Sequence, residues 1–369
     1  MMGLMFIFLT VLIPVYIMTM FIPYWTRKTE SFGVTMPEDA YQQENVRQMR
    51  RRYALSTGVL SLLTTIGLLV MVPNYKEDDV VLGIVFACLV SAYMVVSFII
   101  YLYFHAQMKK LKQLQPGWSQ KAQLITVNTS FRKQKLTYSS LWYVIGFVIA
   151  IAMIVLSLVK YDAIPERFAT QYDFAGNPSS WSDKSYSSVL MMPLMQVYMT
   201  GLFVLINVII AKSKQQINAA DAERSLQRNI IFRRRWSLFM IWMGNGLVAL
   251  LSLPQLSLFY DINIKWSMWG IIGFSVLVVV ASIVLSITTG QGGSKVKVGD
   301  ASGGDASGLD RDDDEYWKLG IFYFNRNDPS IFIEKRFGIG WTNNWAHPVS
   351  WIFMIAVIGL AVLIPFLLS

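Results

Sequence analysis

The chain has 369 residues, of which 54% are hydrophobic and 15% are charged, and its formal net charge at pH 7 is +9. A soluble domain has about 25% charged residues and lacks repeated uncharged runs of about 18 residues or more. The composition therefore excludes an ordinary soluble protein. The single cysteine, Cys88, also excludes a disulfide framework.

Eight runs of the sequence contain no Asp, Glu, Lys, Arg or His. They cover about 3–23, 54–73, 80–104, 139–159, 187–211, 236–259, 266–288 and 349–368. Each run is long enough to cross a hydrocarbon layer of about 30 Å as a helix, and a membrane span must satisfy its own backbone hydrogen bonds. The runs predict an all-α membrane protein with about eight transmembrane helices.

The distribution of lysine and arginine predicts the topology. The loops 24–53, 105–138, 212–235 and 289–348 carry 27 of the 32 basic residues, and the three alternate loops carry the other five. Because basic loops stay in the cytoplasm, we expect a multi-pass protein with both termini extracytoplasmic. The positive charge then reflects topology, so we expect the lipid bilayer as a partner and no nucleic acid.

The spans and loops divide the chain into five predicted domains. These are an N-terminal three-helix membrane region (1–140), a four-helix membrane region with the outer loop 160–186 (141–290), a flexible Gly/Ser/Asp linker (290–310), a small cytoplasmic β-ribbon domain (311–348) and the last transmembrane helix (349–369). In the ribbon, alternating aromatic residues predict two or three short strands. These strands are expected at about 317–324, 330–335 and 339–342.

Four cytoplasmic segments carry local signals. Thr35 and Glu38 have the spacing of a capping box, which predicts a turn followed by a helix. The loop 212–235 contains no Pro or Gly and is predicted to be helical throughout. The acidic run 310–315 is expected to be a solvated face, and the alternating segment near 123–128 is expected to be a strand that pairs with the ribbon.

The segment 163–186 is polar although membrane spans flank it. Its centre has the residues of a turn, so we predict a short hairpin-like loop on the outer side. The rings of Tyr172, Phe174 and Trp181 allow two interpretations. In one they form an aromatic belt at headgroup depth, and in the other they belong to a docking element for a partner.

The polar side chains inside the spans are amides and hydroxyls rather than charged groups. Asn207, Asn245 and Gln255 are candidates for interhelical hydrogen bonds or, alternatively, for a mid-membrane substrate site. The sequence has no HExxH, CxxC, GxSxG or Walker motif, and its two histidines, His105 and His347, are far apart. We therefore predict no catalytic residue, no metal site and no cofactor.

The stretch IPERFATQYDFAGNPSSWSDKS resembles the outer-loop signature of a family of uncharacterised bacterial membrane domains, which SdpI-type immunity proteins also carry. The candidate binding residues in it are Pro165, Gln171, Tyr172, Asp173, Gly176, Pro178, Trp181 and Lys184. Gln171 stands where the family usually has a histidine, so a titratable group is missing. The resemblance covers about 145–210 and implies a protein of the bacterial cell membrane.

A second stretch, YWKLGIFYFNRNDPSIFIEKRFGIGWTNNWAHP, resembles a cytoplasmic domain of unknown function that is often joined to the first. The candidate residues in it are Trp317, Tyr323, Asn325, Asp328, Arg336, Trp341 and Asn344. SdpI-type members confer immunity to a secreted toxic peptide, and some relay its presence to a regulator at the membrane. The resemblance therefore implies a role in immunity or signalling.

The sequence favours a non-enzymatic membrane sensor of the immunity type. Its outer loop is expected to bind a peptide, an envelope component or a membrane-protein partner, and its cytoplasmic parts are expected to act on an inner partner. Two alternatives stay open. One is a transporter or assembly partner for small apolar cargo that uses the mid-membrane amides, and the other is a lipid-modifying membrane enzyme.

Overall fold

The computed structural model describes residues 2–74, 79–120, 134–172, 177–216, 222–260, 262–298 and 312–368. The chain divides into two compact units, each built from segments that are distant in the sequence. Unit 1 contains 1–134, 213–232 and 283–346, and unit 2 contains 135–212, 233–282 and 347–369. The five predicted domains are contiguous segments, and their division stays a prediction.

Helices account for most of the described residues. They are α1 (Met2–Trp25), α2 (Glu44–Asn74), α3 (Asp79–Gln113), α4 (Pro116–Gln120), α5 (Val144–Val159), α6 (Tyr186–Lys212), α7 (Ala222–Leu256), α8 (Ile264–Thr289) and α9 (Pro348–Leu368). Short strands form antiparallel pairs between them: β1 (Glu30–Ser31) with β2 (Val34–Thr35), β3 (Arg167–Tyr172) with β4 (Pro178–Asp183), β5 (Trp317–Lys318) with β6 (Phe322–Tyr323), and β7 (Phe332–Glu334) with β8 (Trp341–Asn343).

Among the described residues, six helices are long and apolar enough to cross a membrane. They contain six of the eight predicted spans, which makes the chain a multi-pass membrane protein by length and composition. The other two predicted spans, 3–23 and 349–368, coincide with α1 and α9. The described apolar stretches of these two helices, Leu12–Trp25 and Pro348–Ile364, are shorter than those of the other six.

The membrane helices of unit 1 pack through one face of α2. Its buried residues recur every three or four positions: Val46, Arg50, Tyr53, Thr57, Ser61, Thr64, Leu68 and Val72. The hydroxyls of Thr57, Ser61 and Thr64 each donate to the carbonyl four residues earlier, at 2.8–2.9 Å. They are therefore satisfied without water, and their small size lets α1 and α3 pack closely against α2.

In unit 2, small residues again allow close helix packing. Gly146, Ala150, Met153 and Ser157 form the buried face of α5, which packs on α6. Gly244 of α7 lies under the ring of Phe203 of α6, where an added Cβ would come within 2.7 Å of the ring. A larger residue at position 244 would therefore separate these two helices.

Two hairpin turns of unit 1 use the same pattern, a large apolar residue followed by glycine. Phe32 and Gly33 join β1 to β2 with φ of 47° and 77°, and Leu319 and Gly320 follow β5 with φ of 53° and 72°. Glycine tolerates this left-handed conformation, but phenylalanine and leucine are strained in it. The turns contact each other, since a Cβ added to Gly33 would lie 2.4 Å from the Gly320 carbonyl oxygen.

Phe32 compensates for its strain by complete burial. Its ring lies between α2 and α3 and packs on Tyr53, with ring centroids 5.4 Å apart, and on Phe104, at 5.5 Å. Its carbonyl oxygen is 2.7 Å from Nδ1 of His105. This first hairpin was not predicted, because two-residue strands leave almost no alternating pattern in a sequence.

The ribbon is confirmed as strands but consists of two separate hairpins, β5–β6 and β7–β8, joined by one bridge between Tyr323 and Asn344. The predicted partner strand near 123–128 lies outside the described residues, so this pairing stays a prediction. Among the described residues, the Lys214 amide donates to the Phe332 carbonyl at 2.9 Å. The prediction of a continuous helix over 212–235 was wrong, because α6 ends at Lys212.

Two further local predictions differ from the structure. The Thr35 hydroxyl donates to Oδ1 of Asp314 at 2.9 Å and does not cap the helix that follows. At the start of the predicted linker, Gln291 is buried and bonds to Gly340 in both directions, at 2.8 and 2.9 Å. Residues 290–298 are therefore packed, and the rest of the linker lies outside the described residues.

Gly33→Ala is expected to destabilise unit 1 by about 2 kcal/mol or more. The left-handed conformation costs a non-glycine residue about 1–2 kcal/mol, and the new Cβ would overlap the backbone of Gly320. Thermal unfolding of the purified protein in detergent, followed by tryptophan fluorescence, measures the change. Gly83→Ala is the matched control, because a Cβ there meets nothing within 4 Å and alanine favours the helix.

Candidate functional site

The predicted outer loop forms a two-stranded hairpin between α5 and α6. Strand β3 pairs with β4 from Arg167 opposite Asp183 to Tyr172 opposite Pro178, with register irregularities at Gln171. Phe168 is buried in a small apolar cluster, whereas Gln171 and Trp181 are exposed. The hairpin is therefore fixed at one ring and presents the rest of its surface.

Aromatic rings and a buried lysine hold the base of the hairpin. The rings of Tyr161 and Tyr186 stack in parallel at 4.2 Å, and the Lys184 ammonium lies 5.0 Å from the Tyr161 ring centroid. The Lys184 side chain is only 9% exposed and lies 3.6 Å from the Glu166 carboxylate. Cation–π contacts of this kind contribute about 0.5–2 kcal/mol, so they fix the direction in which the strands leave the helices.

A capping box begins α6 directly after the hairpin. The Ser185 hydroxyl accepts from the Ser188 amide at 3.0 Å, and the Ser188 hydroxyl accepts from the Ser185 amide at 3.0 Å. Two amide groups at the helix start are satisfied in this way. Lys184 and Ser185, which carry part of the family resemblance, therefore have structural explanations.

The remaining outer-loop candidates are divided between exposed and undescribed positions. Pro165 and Pro178 are exposed, and Tyr172 is half-buried. Asp173 and Gly176 lie outside the described residues. The structure thus brings Gln171, Tyr172, Pro178 and Trp181 together on one hairpin but leaves the turn itself untested.

One buried guanidinium, that of Arg336, pairs with several partners of the tail domain (312–346). Arg336 is 1% exposed and forms ion pairs with Asp313 and Asp314, with Glu30 at 3.9 Å, and a cation–π contact with Trp317 at 5.1 Å. Burial opposes the charge, but the three carboxylates outweigh it and raise the pKa of Arg336 above its ordinary value.

Asp312, Asp313 and Asp314 of the acidic run are paired with basic side chains and are not a solvated face, contrary to expectation. Besides Arg336, Asp314 accepts from the amide and hydroxyl of Thr35, at 3.0 and 2.9 Å, and from the Lys112 ammonium at 2.7 Å. Burial raises the pKa of a carboxyl, but the charges of Arg336 and Lys112 and their hydrogen bonds lower the pKa of Asp314 to about 2. The carboxylate is ionised at any physiological pH.

A second carboxylate organises the loop between β6 and β7. Asp328 accepts from the Tyr323 hydroxyl at 2.8 Å and from the Lys214 ammonium at 2.5 Å. Burial opposes its charge, but the hydrogen bond from Lys214, with others from Ser330 and Tyr323, lowers the pKa of Asp328 to about 2. Asn344 donates to the carbonyls of Asn325 and Asp328, at 2.8 and 3.1 Å, and closes the loop.

Most of the tail-domain candidates are interior residues. Trp317, Tyr323, Asn325, Asp328, Arg336 and Asn344 are buried, and Trp341 is half-buried against Phe232. Their burial explains them as packing and hydrogen-bonding residues, so a binding role for them stays a prediction. Sequence reasoning missed Arg27 and Glu334, an ion pair buried beside them, because 307 positions separate the two residues.

The mid-membrane amides are used in contacts between helices. Asn207 donates to the Tyr138 carbonyl and accepts from the Ser237 hydroxyl, at 3.1 and 2.6 Å. Asn245 donates to the Trp142 carbonyl at 3.1 Å, and Gln255 donates to the Ser157 hydroxyl at 2.8 Å. Interhelical hydrogen bonds of this kind contribute about 0.6–2 kcal/mol each. Each of the three side chains has its own hydrogen-bond partners, and a substrate site formed by them stays a prediction.

No group of three or more metal-ligating side chains occurs among the residues that the structure describes. His105 lies at the tips of the two hairpins, where its ring packs on Tyr101, with centroids 6.0 Å apart. His347 accepts from the amide of Val349 at the start of α9. Both histidines thus have local structural contacts.

Comparison with known proteins gives two partial matches. A model described as a domain of unknown function (DUF1648) matches residues 148–197, and one described as a family of unknown function (DUF5808) matches residues 326–351. These residues include the outer hairpin and most of the tail domain, which are the two stretches that carried the resemblance. No curated protein and no solved structure matches the chain.

Asp314→Asn is expected to destabilise unit 1 by about 1.5–3 kcal/mol, since Arg336 and Lys112 each lose one charged hydrogen-bond partner while Asp313 and Glu30 still pair with Arg336. Equilibrium unfolding by denaturant in detergent measures the change. Glu315→Gln is the control, because Glu315 is the exposed neighbour. Equal effects of the two variants would show that Asp314 contributes nothing specific.

Acid is expected to have a related effect. A carboxylate whose pKa falls from about 4 in the unfolded chain to about 2 in the folded chain stabilises the fold above about pH 4. That stability is lost as the pH falls from about 4 to 2. An acid titration of the wild type should show this loss, and the loss should be smaller in Asp314→Asn.

Proposed function

We propose that this chain is a non-enzymatic, multi-pass protein of the bacterial cell membrane that binds a partner through its outer hairpin (167–183). The partner is a peptide, an envelope component or another membrane protein. In this proposal α1 and α9 also cross the membrane, so that eight spans place both termini outside. A cytoplasmic partner receives the response, as in the immunity and signalling roles that the SdpI-type resemblance implies.

The observation that carries the proposal is how the outer hairpin is attached to its helices and which surface it exposes. The hairpin is a two-stranded sheet whose strands have no third neighbour among the described residues, and an added strand can extend a sheet of this kind. Trp181 is 49% exposed on it, and exposed tryptophans are frequent anchors of binding energy. The stacked rings at its base keep this surface preformed, which lowers the entropy cost of binding.

Contacts between loops agree with the proposed topology. Within unit 1, basic residues of three predicted cytoplasmic loops contact acidic residues of the tail domain. These pairs are Arg27 with Glu334, Lys112 with Asp314 and Lys214 with Asp328. Within unit 2, the Lys160 ammonium lies 4.1 Å from the Tyr260 ring centroid, and both belong to predicted outer loops. Each described contact in this set joins loops on the same predicted side.

The alternatives gain less from the geometry. A transporter needs mid-membrane polar groups that are available to cargo, whereas the side-chain amide nitrogens of Asn207, Asn245 and Gln255 already donate hydrogen bonds to other segments of unit 2. A lipid-modifying enzyme needs a base or nucleophile held near a carboxylate or metal at the interface. Glu166 is an outer acidic residue with a described contact to a basic side chain, that of Lys184. The Glu166 side chain is 93% exposed.

Photo-cross-linking in living cells tests the docking role. A photoreactive amino acid replaces Gln171, which is exposed on β3. The expected result is a discrete protein or peptide adduct, because a strand added at this edge would lie within contact distance. Mass spectrometry of the adduct measures the outcome.

The control probe is at Asn74, an exposed residue at the end of α2 that is also predicted to lie on the outer side. An adduct at position 171 but not at 74 supports the proposal. Lipid adducts alone at position 171 would contradict it and leave the rings as a membrane belt.

Asn245→Ala separates the proposal from the transporter alternative. The loss of one interhelical hydrogen bond is expected to lower the free energy of unfolding by about 1 kcal/mol. Partner cross-linking at position 171 should persist with little change. Complete loss of the adduct in a variant that still unfolds near the wild-type temperature would favour the alternative.

A further inference from the structure

The hairpin β5–β6 leaves three large apolar side chains uncovered. Leu319 at its turn is 49% exposed, Phe322 in β6 is 41% exposed, and Phe324 directly after it is 40% exposed. Among the hairpins of unit 1, the first one provides a direct comparison. There Phe32, at the equivalent turn position, is completely buried.

Backbone strain makes the exposure of Leu319 informative. Its φ of 53° lies in the left-handed region, where glycine or asparagine is the usual choice and leucine is unfavourable. The packing of Phe32 compensates for the same strain in the first hairpin. The described residues provide no such packing for Leu319, and an apolar surface outside the chain would provide it.

The depth of the turn identifies that surface. The Leu319 carbonyl accepts from the Tyr101 hydroxyl at 2.9 Å, and Tyr101 lies in the uncharged run of α3, three residues before its end at Phe104. At 1.5 Å per residue, this contact is within about 5 Å of the point where the apolar span ends. The turn therefore lies at the level of the lipid headgroups.

Cationic side chains lie at the same depth, near the ends of the apolar runs of α2 and α3. Lys109 and Lys110 are exposed one turn after the apolar run of α3, and Arg51 and Arg52 are exposed just before the apolar run of α2 begins at Ala54. Apolar side chains and several cations at one membrane depth are typical of segments that bind anionic membranes.

We propose that the β5–β6 hairpin docks into the headgroup layer of an anionic membrane. Leu319, Phe322 and Phe324 insert among the upper acyl chains, and the four cations bind lipid phosphates. The hairpin then holds the tail domain on the membrane surface, in addition to the covalent connection of that domain to the membrane spans. This inference is independent of what the outer hairpin binds.

Spin-label accessibility in lipid nanodiscs tests the proposal on the full chain. Leu319→Cys is labelled in a Cys88→Ser background, and the discs contain phosphatidylglycerol with phosphatidylcholine. The label is expected to be several-fold more accessible to oxygen, which dissolves in lipid, than to a water-soluble nickel chelate. The control is Asn45→Cys, exposed in α2 nine residues before Ala54, or about 14 Å from the apolar run.

The control label is expected to show the opposite preference. Phe324→Cys is a second variant, which keeps the test valid if a cysteine at the strained turn prevents folding. Labels at positions 319 and 324 that collide with the nickel chelate as often as the label at 45 would overturn the proposal. Equal shielding in discs of pure phosphatidylcholine would overturn the role of the cations.

Discussion

The described loops of unit 1 are organised around the charge of the Arg336 guanidinium. A buried charge costs several kcal/mol unless it is paired and hydrogen-bonded, and Arg336 is 1% exposed. Its partners come from two separate segments, Glu30 in the first loop and Asp313 and Asp314 at the start of the tail domain. The first hairpin and the tail domain must therefore assemble together to satisfy this charge.

The same principle extends to the rest of unit 1. Lys112 at the end of α3 binds both Asp312 and Asp314, at 2.7 Å each, so α3 is joined to the same acidic run. Lys214 continues the arrangement at Asp328, where a strand-like contact accompanies the ion pair. Opposite charges from separate loops thus act together with the buried apolar cluster around Phe32 in holding these loops in place.

The sequence predicted the elements whose signals are local. The uncharged run 187–211 corresponds closely to α6, Tyr186–Lys212, because length and lack of charge are sufficient to define a span. The hairpin of the outer loop was predicted because a turn sequence separates two short alternating stretches. The tail strands were predicted for the same reason, although their boundaries and pairing differ.

The contacts between distant segments could not be predicted. Asp312, Asp313 and Asp314 had the composition of a solvated run, and nothing near them in the sequence indicates that Arg336 and Lys112 neutralise them. Thr35 was assigned to a cap because its spacing from Glu38 fits a local motif, yet a carboxylate 279 positions away accepts its hydroxyl. A local pattern reflects only the interactions within one segment. Charge pairing between distant segments overrides it when burial makes an unpaired charge costly.

The turns Phe32-Gly33 and Leu319-Gly320 share one sequence pattern, a large apolar residue followed by glycine, but they differ in their surroundings. Both turns accept a strained apolar residue and contact each other through Gly33 and Gly320, so neither can move without the other. Phe32 directs its ring into the groove between α2 and α3, whereas Leu319 directs its side chain outward at the level where the α3 span ends. Packing around Phe32 maintains the strain of the first turn, and the close approach of Gly33 to Gly320 then fixes the position of the second turn.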